Sequence, residues 1–145
     1  MKALVIFDTN FGHTKLIAEK IADSLGMDAK SLHVSKVGKS DLSGLGLIIV
    51  GSPIIGWKPT EKIMSLLEDF SRDQLKGVKA ASFDTRVKLF IHGDAAEKIS
   101  KSLKNAGAEI IVQPQPFYVK GKEGPLFDGE VERAQGWAES ILSKI

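Results

Sequence analysis

Between Asp8 and Thr14 the chain reads Asp-Thr-Asn-Phe-Gly-His-Thr, directly after an apolar run and directly before a helical pattern. A loop that opens a helix presents backbone N–H groups and the positive end of the helix dipole, so an anion is its natural occupant. Thr9 and Thr14 add hydroxyls, Asn10 adds an amide, and Gly12 lets the backbone approach closely. The chemistry is that of a phosphate cradle, although the same residues also suit a plain turn with a helix cap. Two other phosphate patterns fail. Gly38-Lys39-Ser40 has His33 where a Walker loop needs glycine, and Gly44-x-Gly46 meets Ile49 instead of a third glycine.

Such a loop works only if strands and helices hold it. Lys2 to Phe7 and Leu45 to Val50 are apolar without alternation, as expected of central parallel strands covered on both faces. Ala29 to Val34 alternates weakly and suits a sheet edge, Val78 to Phe83 reads as a fourth strand, and Glu109 to Val112 as a fifth. Helical spacing joins Leu16, Ile17, Ile21 and Leu25 ahead of Gly26, and Ile63, Leu66, Leu67 and Phe70 after Pro59 and Thr60. Asp94-Ala-Ala-Glu97 has capping-box form before Ile99 and Leu103, and a last helix from about Glu130 to Leu142 carries Val131, Ala134, Trp137, Ala138 and Ile141 on one stripe. Strands alternating with helices argue for an open parallel sheet in an α/β fold, a single domain over residues 1–145. Ligands of such sheets bind beyond the carboxyl ends of the strands, which points to loops 8–14, 51–60 and 84–94.

Composition narrows the function. The chain has 145 residues, 43% hydrophobic and 26% charged, as in an ordinary globular protein. Without cysteine, disulfide, thiolate-metal and dithiol chemistry are excluded, and any redox work needs a borrowed cofactor. The net charge of +2 is spread along the chain, so nucleic acid is not expected. Apolar runs are too short for a membrane span and no leader pattern is visible, which sets a cytoplasmic expectation. His33 and His92 lack neighbours of metal-site spacing.

The segment Val5-Ile-Phe-Asp-Thr-Asn-Phe-Gly-His-Thr-Lys-Leu-Ile-Ala18 satisfies every specified position of the flavodoxin N-terminal signature: Val5, Ile6, Phe7, Thr9, Gly12, Thr14 and Ala18. The sequence thus resembles the short-chain, FMN-binding flavodoxins. The resemblance implies a three-layer α/β/α sandwich with a five-stranded parallel sheet in order 2-1-3-4-5 and FMN at the switch point between strands one and three.

By position, the resemblance assigns Thr9, Asn10, Phe11, Gly12, His13 and Thr14 to the FMN phosphate. Phe11 and His13 replace the Thr and Asn that family members commonly have there. Ser52, Pro53, Ile54, Ile55, Gly56 and Trp57 correspond to the segment covering one flavin face. Ile55 fits by register and Trp57 offers the better stacking surface. In the family, the peptide after the glycine corresponding to Gly56 turns over on reduction and accepts a hydrogen bond from flavin N5–H. Phe83, Asp84, Thr85 and Arg86 would border the flavin from the fourth-strand loop, which lacks the Tyr many members stack on the outer face; Phe90 would replace it in part where the loop folds back. Arg86 and Lys88 would bring positive charge. One unit charge at an assumed ~7 Å and effective dielectric ~20 is worth roughly 2 kcal/mol, or about 100 mV for one electron.

The implied function is an electron carrier shuttling single electrons between protein redox partners: a reductase or ferredoxin-like donor, and an acceptor. The mildly basic charge suggests an acidic docking surface on the partner. An FMN-dependent quinone or NAD(P)H oxidoreductase on the same fold is the alternative. A receiver domain would need clustered acidic residues for magnesium, and Asp8 stands alone.

Overall fold

The computed structural model describes residues 1–26, 28–88 and 93–145. Phe90 and His92 lie outside the described residues. Strand β1 (Lys2–Phe7) lies at the centre of the sheet, with Ala3 through Phe7 all buried. Because side chains alternate along a strand, Ala3, Val5 and Phe7 enter one core while Leu4 and Ile6 enter another. Strand β3 (Leu45–Pro53) repeats the division, sending Leu47 and Ile49 to the first core and Ile48 and Val50 to the second. Both faces therefore need helices. Helices α1 (His13–Leu25) and α5 (Glu130–Leu142) cover the first face, and α3 (Glu61–Asp69) and α4 (Ala95–Asn105) the second.

With β2 at Asp28–His33, β4 at Lys79–Val87 and β5 at Glu109–Ile110, the sheet order is β2-β1-β3-β4-β5, with every pairing parallel. This is the expected 2-1-3-4-5 arrangement. Strand β2 (Asp28–His33) takes the edge that its weak alternation predicts, and its residues are partly exposed. Helix boundaries follow the cap residues: Thr60 Oγ1 accepts from Ile63 N at the start of α3, and Asp94 Oδ1 accepts from Glu97 N at 2.9 Å at the start of α4. Leu16 departs from expectation. It is exposed on α1, while Ala18 and Ala22 join Ile17, Ile21 and Leu25 in the buried stripe. Gly38 precedes the one-turn helix α2 (Lys39–Leu42), which takes in Lys39 and Ser40.

Two strands run further than their apolar cores suggest. Strand β4 (Lys79–Val87) continues through Asp84, Thr85 and Arg86, so these residues belong to a strand and not to the expected loop. The fifth strand is split. Strand β5 covers only Glu109–Ile110, and β6 (Gln115–Val119) resumes the pairing with β4. Residues 111–114 stand opposite only Ala81 and Ser82, so the chain bulges out between the two pieces. Pro114 and Pro116 obscured this strand in the sequence; Pro116 is tolerated because, among the described residues, β6 pairs only with β4. Among the described residues no helix is long and apolar enough to cross a membrane.

Beneath the upper sheet, Phe83, Phe117 and Trp137 meet edge to face with centroids 6.0 Å apart. The Phe83 ring lies over Gly51, its neighbour in β3, and a Cβ there would overlap the ring. Gly51→Ala is expected to cost about 1–3 kcal/mol by overpacking. Urea unfolding checks this, and a change within about 0.5 kcal/mol would mean the ring can retreat.

Candidate functional site

The loop after β1 is tied down from three sides. Asp8 N donates to the Gly51 carbonyl at 3.3 Å, fastening the loop to the end of β3. Asp8 Oδ1 accepts from Thr9 N at 2.8 Å and from His33 Nε2 at 3.0 Å. His33 Nδ1 itself accepts from Ser35 N at 3.1 Å, which leaves Nε2–H as the donor to Asp8. His33, isolated in the sequence, thus has its carboxylate partner 25 positions away. Thr9 Oγ1 accepts from Gly12 N at 2.9 Å, and Gly12 adopts φ +89°, a conformation open to glycine at little cost.

Helix α1 then begins at His13 with no side-chain cap. Its first-turn N–H groups, from His13 to Lys15, have no intrahelical acceptor and aim at the space beyond the loop. Thr14 Oγ1 meets Thr85 Oγ1 at 2.8 Å, joining the helix start to β4. When Thr85 donates in that pair, the Thr14 O–H is available to a ligand.

The loop after β3 closes in a two-residue hairpin. Ile55 N donates to the Lys58 carbonyl at 2.8 Å and Lys58 N returns to the Ile55 carbonyl at 3.2 Å. Gly56 (φ +56°) and Trp57 (φ +72°) both lie in the left-handed region, as in a type I′ turn. For tryptophan this is a strained conformation costing about 1–2 kcal/mol. Gly93 packs directly on the Trp57 backbone, where a Cβ would overlap it. Large apolar surface is left open here: Phe11 is 48% exposed, Ile55 42% and Trp57 57%.

A cavity of about 300 Å³ lies between these loops. Thr9, Asn10, Phe11, His13 and Thr14 line it from the first loop, and Pro53, Ile54, Ile55, Gly56 and Trp57 from the second. Thr85 and Arg86 line it from β4. Four of the expected residues do not reach it. Gly12 shapes the loop from behind; Ser52 is buried, accepting from Thr60 N at 3.0 Å; Phe83 is in the core; Asp84 is turned toward α4. Val87 and Gly93 line the cavity from the expected 84–94 segment without having been singled out, and Val119 and Lys122 line it from outside the three expected loops. Val119 and Lys122 come from β6 and the arm after it, a segment that the Gly-Lys-Glu-Gly-Pro run from Gly121 to Pro125 marks in the sequence as a surface turn.

A Flavodoxin domain model matches residues 4–119 of the chain. The chain belongs to the flavodoxin family. Flavodoxin 1 from Bacillus cereus superposes with TM-score 0.85 at 18% identity, over 100% of this chain and 99% of that one. Flavodoxin 2 from the same organism gives 0.84 at 22% identity over the whole of both chains. A flavodoxin from the domain Archaea gives 0.83 at 20% identity, over 99% of this chain and 98% of that one. Membership makes this an FMN-binding electron-transfer flavodoxin, of a family that works with protein redox partners.

The cavity has the chemistry FMN requires. Hydroxyls and open helix N–H groups suit a phosphate at one end, and Ile55, Trp57, Val87 and Val119 supply apolar surface for a flavin ring. The electrostatics differ from expectation in one respect. Arg86 is buried and bidentate to Asp84, Nε to Oδ1 at 2.8 Å and Nη2 to Oδ2 at 2.6 Å, and Nη2 also reaches Asp94 Oδ1 at 3.2 Å. One guanidinium faces two carboxylates, so the flavodoxin site does not feel Arg86 as a bare positive charge. Burial pushes the Asp84 carboxyl up, against the hydrogen bonds from Arg86 and Ala96 N–H. Burial also works to lower the guanidinium pKa, but Asp84 outweighs it and holds Arg86 above its ordinary value.

The network ties the end of β4 to the start of α4. Asp84→Ala would leave the guanidinium buried with fewer acceptors, at a cost of about 3–5 kcal/mol. Chemical denaturation of the cofactor-free protein measures it. A loss below about 1 kcal/mol would mean that water and Asp94 replace Asp84 fully.

Proposed function

We propose that this flavodoxin seats FMN with its phosphate against Thr9, Asn10, His13 and Thr14 and its ring against the Ile55–Lys58 turn, and exchanges electrons across the exposed rim of Phe11, Ile55 and Trp57. The observation that carries this reading is the convergence of an uncapped helix start and an apolar turn on one cavity. FMN would supply the one-electron redox chemistry, and a cysteine-free chain has no dithiol couple of its own. The chain binds the phosphate, excludes water from one ring face, and leaves an apolar edge open to partners.

The turn also offers a movable acceptor. Gly56 tolerates either orientation of the Gly56–Trp57 peptide, and a type II′ turn keeps φ positive at Gly56 while bringing Trp57 to negative φ. Strain at Trp57 therefore biases the peptide toward turning over. In one orientation the Gly56 carbonyl oxygen accepts a hydrogen bond from a protonated cofactor nitrogen; in the other it does not.

The docking surface combines that apolar rim with Lys58 inside the turn and Lys122 at the cavity. An acidic partner surface complements it and would give association that weakens with salt.

Absorption titration with FMN, followed by stepwise anaerobic reduction, tests the reading. Uptake of one FMN and two resolved one-electron steps, with no bleaching by NAD(P)H, is the expected result. Direct bleaching by NAD(P)H would mark an oxidoreductase instead, and failure to take up FMN would overturn the assignment. Trp57→Gly is expected to weaken FMN about 3- to 10-fold through lost stacking. The same change should leave the cofactor-free protein as stable or up to about 1 kcal/mol more stable, because strain is relieved. Unchanged affinity in Trp57→Gly with a loss in Ile55→Ala would make Ile55 the covering residue.

A further inference from the structure

The arm after β6 folds back on itself and onto the phosphate loop. Lys120 N donates to the Pro125 carbonyl at 2.8 Å and Phe127 N to the Tyr118 carbonyl at 3.0 Å, making a short antiparallel clip. At its tip the Glu123 carbonyl accepts from His13 Nε2 at 2.8 Å. Gly124 (φ +92°) lies flat against the His13 ring, where a Cβ would overlap it. A residue in the first turn of α1 therefore clasps the arm.

The clasp has a consequence for charge. Lys122, next to the clasped Glu123, lines the cavity. The other cation lining it, Arg86, is committed to Asp84 and Asp94. Lys122 makes no ion pair among the described residues. The phosphate loop carries Phe11 and His13 where hydroxyl and amide donors would be expected, and His13 spends Nε2 on Glu123. The donors that Thr9, Asn10 and Thr14 give the end of the cavity near α1 are all neutral, and among the described residues Lys122 is the lining cation outside any ion pair.

Resting on the FMN assignment above, we propose that Lys122 is a phosphate-recognition residue, held at the phosphate end of the cavity by the His13–Glu123 clasp. The arm adds a charge to the neutral donors of Thr9, Asn10 and Thr14. His13 offers the anion its backbone N–H, while its ring acts in a positioning role: the ring holds the arm, and Lys122 meets the anion.

Paired titrations with FMN and riboflavin, followed by flavin fluorescence at two ionic strengths, separate phosphate recognition from ring recognition. Lys122→Gln is expected to raise the FMN Kd about tenfold and flatten its salt dependence, with riboflavin affinity unchanged. Lys120→Gln removes the same charge from a neighbouring position on the arm and should change neither. Gly124→Ala, which forces the arm off His13, should reproduce the FMN-selective loss with an intact lysine. Equal losses for FMN and riboflavin, no loss in Lys122→Gln, or an equal loss in Lys120→Gln would overturn the role of Lys122. Wild-type protein that binds neither flavin would overturn the FMN assignment itself and the lysine's role with it.

Discussion

The reversal of strand order at β1 is the constraint from which the site follows. Strand β2 pairs on one side of β1 and β3 on the other, so the chain leaves the sheet in opposite directions after β1 and after β3. Helix α1 must cross the first face and α3 the second, because the alternate side chains of both central strands need cover. The two loops part where the strands end and cannot close over each other. The cavity is the gap that this parting leaves, and the open N-terminus of α1 points into it.

Around that gap, buried and exposed charges have separate roles. The Asp84–Arg86–Asp94 network is out of water and satisfied, tying β4 to α4 and adding little net field to the cavity. Lys58 and Lys122 remain at the surface, where their charge reaches anions and partners. Arg86 and these lysines carry the same charge, yet burial and pairing give them opposite consequences. The His33–Asp8 pair belongs with the structural group, bracing the phosphate loop against β2.

Much of this was legible in one dimension. The apolar runs of β1 and β3, the helix caps at Thr60 and Asp94, and the span of α5 follow from local rules that need no knowledge of neighbours. Two features were hidden because their causes are non-local. Strand β6 carries prolines that oppose strand formation locally, and it forms because β4 offers a ladder on which only one side of β6 must pair. Asp84 and Arg86 look like loop residues because they are charged; they sit in a buried strand because each neutralises the other two positions apart.

The sequence by itself determined the α/β class, the alternation of the main strands and helices, and the phosphate-loop motif from Thr9 to Thr14, since periodicity and a short signature are properties of adjacent residues. Tertiary structure alone decided which residues face the cavity. It turned Ser52, Phe83 and Asp84 away, brought Val119 and Lys122 in from a distant arm, and set Trp57 in a left-handed turn. The physical reason is that a side chain's orientation depends on the register and packing of strands far apart in the chain, and only the assembled sheet specifies them.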